Sequence, residues 1–504
     1  MGAATIALTS VVQMAMPVPG GNELIYLPLM RSRVDPTYLA GDWTFGSGFG
    51  EHAVFNLVFG PLVRLLGIEW LAIIGRFASW LAIGWVVVSL GRRLGARWWA
   101  SAGATVLFVG LNQSMGVGAE FLFSGFEAKS VAWPLLLAAL VAAIDRRYWV
   151  VCVLVGLTFS FHPAIGLWGG GALLFSLLAL QSTRVQTARL LPVSALAALP
   201  GLIPLWSDFR NSSMDSESAE FIVLSRIPHH ADPSSFGERG PIILATMLCF
   251  TLLWSWIHRS SFPPRLLGVF QVTLTAVFIS GVVAWFFDWW EFLLLLPFRV
   301  MPIVVHLLFW LIVAGTVTGG LDRRAWLRRT GEPERRSVAS TSAIAAAGLS
   351  LVAVVALWNP AVRVVDAVLD FSDRYVRDEV GFQPAMEWIA QNTELTAVVA
   401  SPPWVDEMFY MTERPQFVSW GAVTYDRPQE WRARLEHTVT DESVFTDPTT
   451  SDQAEMEAFE AVSVEAWLRT SSEFGVDYLL TTAELQLTSI YSDGTWTVYV
   501  FPSS

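Results

Sequence analysis

Lysine is all but missing from this chain: Lys129 stands alone among 32 basic residues, the rest being arginine. Cysteine occurs twice, at Cys152 and Cys249, each inside an apolar run, which excludes a disulfide framework and a cysteine-built metal site. Charge is scarce, since Asp, Glu, Lys and Arg make up 15% of 504 residues, against about 25% in a soluble domain. No Walker motif, HExxH or GxSxG stands in a suitable context, and the run GLWGGG (166–171) lies in an apolar stretch, not between a strand and a helix. The chain therefore offers no nucleotide site, calls for no cofactor or metal, and is expected to have no nucleic-acid partner.

What is present is apolar. Hydrophobic residues make up 53% of the chain and the mean hydropathy is +0.48. Such a composition, with repeated long apolar runs, reads as a polytopic α-helical membrane protein. Residues 1–18 carry no charge and lack a basic leader, so they read as a first span (3–18) and not as a cleaved signal. Further spans are expected at 69–90, 98–112, 131–144, 148–162, 164–181, 187–206, 240–257, 265–286, 292–318 and 340–357, about eleven in all. Residues 51–70 have helical periodicity broken by Pro61 and Arg64, and read as a helix lying along the membrane face. Fifteen arginines fall in the loops 92–97, 145–147, 184–189, 259–265 and 322–336, which marks that side as cytoplasmic. The N-terminus is then cytoplasmic and the first loop outside. From Asn359 onward there are 25 acidic and 8 basic residues, a balance of −17 that leaves +5 for the rest. The chain divides accordingly into a transmembrane domain, 1–358, with outer loops 19–68 and 207–239, and an extracytoplasmic small α/β domain, 359–504. Strands are expected at 397–400, 476–482 and 495–501, acidic helix at about 427–470, and a flexible loop at 330–340.

This topology gathers the unusual polar residues on one face. Glu23 and Asp42 lie in the dense loop after the first span, where a carboxylate can serve as a general base. Glu127 and Lys129 enter directly before a span, a costly place for charge unless it is paired or wetted. His162 sits between two short spans, before Pro163. The loop SRIPHHADPSSF (225–236) carries Arg226, His229 and His230; neighbouring histidines point apart, so phosphate binding is expected there in preference to metal. Arg299, in LPFRVMP, needs a partner at that depth, and a lipid phosphate suits it. Glu51, His52, Glu120, Asp288 and Glu291 fall on the same face.

The layout resembles the GT-C superfamily of membrane glycosyltransferases. The likeness rests on the acidic first loop with Glu23 and Asp42, the face-lying helix 51–67, and the span RFASWLAIGWVVVSLGRRLG. More narrowly, NELIYLP with DW, HPAIGLW, RIPHHADPSSF and EWIAQNTELTAVVASPP with ERPQFVSW resemble an uncharacterised family of bacterial multi-pass membrane proteins. The chain departs from the GT-C pattern in lacking an adjacent DD or DE pair in the first loop. The resemblance implies an inverting transferase in the bacterial inner (cytoplasmic) membrane. It would move a sugar from a polyprenyl-phosphate donor to a glycan or protein acceptor outside. Glu23 or Asp42 would be the base, Lys129, Arg226 and Arg299 would hold phosphate, and His162, His229, His230 and Glu127 would shape the site. The C-terminal domain would bind the acceptor or cover the cleft. A transporter or flippase of a lipid-linked precursor, and a non-catalytic scaffold, are the alternatives; a transporter requires polar residues in both membrane halves.

Overall fold

The computed structural model describes residues 1–13, 16–46, 50–330, 381–446 and 452–502. The expected span 340–357 and the loop 330–340 lie outside them, apart from Thr330. The first part is a helical bundle: α1 Gly2–Gln13, α2 Glu23–Val34, α3 Ala53–Arg93, α4 Trp98–Met115, α5 Ala128–Ile144, α6 Tyr148–Phe161, α7 Pro163–Ala179, α8 Arg184–Asn211, α9 Arg239–Ile257, α10 Phe262–Phe286 and α11 Val300–Thr330. Five helices among the described residues are long and apolar enough to cross a membrane: Gly50–Arg93, Arg184–Asn211, Arg239–Ile257, Phe262–Phe286 and Val300–Gly319. Four shorter apolar helices join them.

Position in the bundle follows from which faces are apolar. The window of α11 is 89% buried and that of α8 only 11%. A helix apolar all round belongs at the centre, and α11 holds it with Val304, Val305, Leu308, Leu311 and Ile312. The outward faces carry Leu196, Ile203, Trp206 and Phe209 of α8 and Ile279, Phe286 and Phe287 at α10. Surface this apolar needs an apolar surrounding, so the bundle reads as multi-pass membrane protein.

Helix α3 is 41 residues long, roughly 60 Å at 1.5 Å per residue and about twice the apolar thickness of a bilayer. It breaks at Gly67, with φ 79° and ψ 169°, values only glycine adopts readily. The break falls close to the expected division between a face-lying helix and a span. Elsewhere the boundaries move. The first helix stops at Gln13, short of residue 18. The span expected from 292 begins at Val300, because Trp290–Leu293 forms one turn and Leu296 takes φ 57° before Pro297.

The two ends of the bundle differ. At the basic end Arg93 pairs with Asp145 at 2.5 Å, Arg146 lies over the Phe262 ring, and Thr318 Oγ1 donates to the Gly95 carbonyl at 3.2 Å. Exposed Trp98, Trp99, Trp149 and Trp256 ring this end, the interfacial habit of tryptophan. The opposite, polar end carries α2, the 212–238 loop and the C-terminal part.

That C-terminal part is a small mixed sheet with helices. β1 Val399–Ala400 runs parallel to β2 Tyr478–Thr481, which pairs antiparallel with β4 Thr497–Val500, which pairs with β3 Thr488–Ser492. Around it pack α12 Gln383–Asn392, α13 Pro428–Glu436, α14 Asp452–Glu460 and α15 Val464–Phe474. The three expected strands are present. β3 is additional, and its sequence TSIYS is mostly exposed and too polar to announce a strand.

Close packing at the basic end is testable. A Cβ on Gly315 would stand 2.1 Å from the Leu94 carbonyl oxygen. Gly315→Ala is expected to destabilise by about 1–3 kcal/mol, read as a lower midpoint for thermal unfolding in detergent.

Candidate functional site

Glu23 opens α2 and is fully buried. Its carboxylate accepts from the Gly20 amide at 3.1 Å, the Phe126 amide at 2.5 Å and Arg76 Nε at 2.8 Å, and it pairs with Arg76 Nη2. Arg76, from the crossing half of α3, also donates to the Met16 and Pro17 carbonyls at 3.1 and 2.8 Å. A buried pair is tolerable when its remaining donors and acceptors are met in this way. Asp42, expected alongside Glu23 as a base, is engaged as well. It accepts from the Phe45 amide at 3.0 Å and the Gln416 amide at 3.1 Å. Burial lifts its pKa to about 6 against the pull of those amides. The structure thus gives both carboxylates holding contacts: Glu23 ties the first loop to α3 and to residue 126, and Asp42 ties it to the C-terminal part.

From Glu23 a chain of charge leads outward. Asn22 Nδ2 donates to Glu127 Oε2 at 3.0 Å, and Glu127 caps α5 in a capping box with Ser130. Glu127 Oε1 meets Lys129 Nζ at 3.2 Å, Lys129 meets Glu120 at 3.6 Å, and Glu120 meets Arg299 Nε at 3.2 Å. Arg299 stands at the head of the central helix. His230 Nδ1 lies 2.8 Å from the Gly118 carbonyl, its ring 4.1 Å from that of His229. His162 caps the first turn of α7, with Nδ1 accepting from Ile165. Arg226 donates to the carbonyls of Trp420 and Gly421 at 2.7 and 3.2 Å.

Lys129, Arg299, Arg226, His229 and His230 are therefore brought together. The pKa of His229 falls to about 4 through burial first and then through Arg226, Arg299 and Lys129. His230 is lowered for the same reasons, burial leading and Arg299 next. Both imidazoles are neutral at pH 7. Residues that the sequence left without a role complete the set. His52 stacks on Tyr26 at 4.2 Å and lies 3.8 Å from Glu51. The Tyr26 phenol is raised by burial and by Tyr425, Glu127 and Glu51. The Tyr425 phenol is raised by burial and Glu51 and lowered by Arg226 and Arg299. Yet Tyr425 is 37% exposed and Glu51 27%, and His229 reaches solvent too. Groups that feel burial while touching solvent line a recess. Glu51 was visible as an outer-face charge; nothing in the sequence marked Tyr26 or Tyr425. No group of three or more His, Cys, Asp or Glu among the described residues is arranged to hold a metal ion.

The upper wall of the recess comes from one stretch of the C-terminal part. Residues 381–438 match the family model of a domain of unknown function, DUF6798. No curated protein matches the chain. The DUF6798 segment is also what seats the C-terminal part on the bundle. Glu413 pairs with Arg31 at 2.7 Å, Tyr38 donates to the Phe409 carbonyl at 2.9 Å, and Trp43 Nε1 donates to the Phe417 carbonyl at 2.6 Å. Within the segment burial raises Asp406 to about 6, while Arg226 pulls it down.

Two measurements check these assignments. Glu23→Gln strands Arg76 and is expected to cost about 3–5 kcal/mol; a Glu23→Gln/Arg76→Met double variant should recover part of that loss in thermal unfolding. For Asp406, the folded pKa lies above its ordinary 3.8, so the folded chain holds the proton longer and wild type loses stability as pH rises from about 4 to about 6. Asp406→Asn should match wild type near pH 4, gain on it across that window, and keep a constant lead above about pH 6.

Proposed function

We propose that the chain is a membrane glycosyltransferase of the GT-C type, transferring a sugar from a polyprenyl-phosphate donor to a glycan or protein acceptor. The observation that carries this reading is the meeting of Lys129, Arg299 and Arg226 with neutral His229 and His230 in a recess at the polar end of an apolar bundle. Cations held by fixed carboxylates beside accessible imidazoles suit a phosphate that must bind and then leave with added charge. The basic loops of the other end put this recess on the outer face under the positive-inside rule. About eleven spans, with the last in 340–357, complete the topology.

In the transfer, the acceptor hydroxyl gives its proton to a carboxylate, its oxygen bonds to the sugar's anomeric carbon from the side opposite the phosphate, and the bond from that carbon to the phosphate oxygen breaks. Glu51 takes the base's role in place of Glu23 and Asp42, whose oxygens are committed to Arg76 and to backbone amides. Lys129 and Arg299 hold the departing phosphate. A transporter is less well supported, because the central helix α11 is lined by Val, Leu and Ile and its His306 is hydrogen-bonded to Trp310 at 2.9 Å.

Purified protein is expected to bind a short-chain polyprenyl phosphate, and Arg299→Ala to weaken that binding about 30-fold or more, measured by titration in detergent. Binding unaffected by the substitution, or none by wild type, refutes the reading.

A further inference from the structure

Beside the cationic cluster, the recess has a wall that the phosphate does not use. Tyr26, Glu51 and Tyr425 face one another there, close enough for each phenol to feel Glu51 and for Tyr26 to feel Tyr425. Their backbones are pinned. The Tyr425 carbonyl accepts from Ser212 Oγ at 2.8 Å, and the Asp426 carbonyl accepts from the Ser213 amide at 3.1 Å. The Gly50 amide donates to Asp208 at 2.5 Å, fixing the turn that presents Glu51. Tyr26 has one ring face covered by His52. Their tips are not pinned: among the described residues neither the Tyr26 nor the Tyr425 hydroxyl has a hydrogen-bond partner, and the Glu51 carboxylate has only His52 at 3.8 Å.

We infer that this wall is a subsite for a hydroxyl-rich ring, a monosaccharide unit, lying next to the phosphate held by Arg299 and Lys129. The inference rests on the phosphate site proposed above. Two phenols that both donate and accept, and one carboxylate that accepts, are the partners a polyol needs. An alkyl chain in the same place would strand all three groups. Rigid backbones with free tips are the condition for recognition without ordering cost. One member of the wall, Tyr425, belongs to the DUF6798 segment, so that module contributes a specificity residue as well as a seat.

The test uses the full chain in detergent and titrates α-mannose 1-phosphate, α-glucose 1-phosphate and inorganic phosphate. At least one sugar phosphate is expected to bind about tenfold tighter than inorganic phosphate. Tyr26→Phe and Tyr425→Phe, which keep the rings, should each reduce that preference about three- to tenfold while leaving inorganic phosphate unchanged. Equal binding of sugar phosphates and phosphate by wild type overturns the subsite, as does a preference that neither tyrosine variant alters; the phosphate site survives both results. Binding of both probes that is indifferent to Arg299→Ala overturns the phosphate site and this inference with it.

Discussion

At the polar end the organising interaction is the pair of Glu23 and Arg76, closed off from water by the residues whose backbone it binds. Arg76 reaches it from a helix that crosses the bundle, and Glu23 from the first turn of another. A carboxylate at a helix start is favoured by the helix dipole, and here it also gathers the amides of Gly20 and Phe126. Ordering residue 126 sets where Glu127 begins α5, and Glu127 sets Lys129. The sequence of contacts then runs through Glu120 to Arg299 without a gap larger than 3.6 Å. Gly125 is required in this arrangement, because a Cβ there would stand 2.9 Å from the Glu23 side chain. A buried pair gains little net stability over an apolar one. What it confers here is a single geometry for the charges that follow.

Much of this end is legible in the sequence because charge in so apolar a chain must have a reason. Lys129, Arg226, Arg299, His229 and His230 stand out on that ground alone, and folding brings them to one place. The helical bundle and three of the four strands are legible too, from apolar periodicity and from β-branched runs. Glu23 and Asp42 stand out equally, yet their partners do not follow from spacing: Arg76 is 53 residues away and Gln416 is 374. A conspicuous carboxylate therefore suggests catalysis just as readily whether it holds the fold or faces a recess. Only burial and partners separate the two, and neither is written in one sequence.

Tyr26 and Tyr425 show the opposite failure. Tyrosine among leucines and isoleucines, as in NELIYLP, passes for core, and tyrosine in GAVTYDRP passes for loop surface. Their meeting depends on the C-terminal part folding back over the first loop, through Arg31 and Glu413, Trp43 and Phe417, and Asp42 and Gln416. Each half of the wall is incomplete without the other, and hydropathy reports on neither.

The manner of that seating bears on what the DUF6798 segment can do. Its contacts with the bundle are made largely through its own main chain. The carbonyls of Phe409, Phe417, Trp420, Gly421, Tyr425 and Asp426 accept from Tyr38, Trp43, Arg226, Ser212 and Ser213. Docking through carbonyls depends on the path of the loop more than on its side chains. Gly421 keeps that path, since a Cβ there would meet Asp406 and Ile25 at 2.5 Å. The side chains of the loop are thereby released from holding the two parts together. A surface that holds itself in place by backbone can change what its side chains recognise without losing its seat, which is how a recess of fixed phosphate chemistry can accept different ring chemistry beside it.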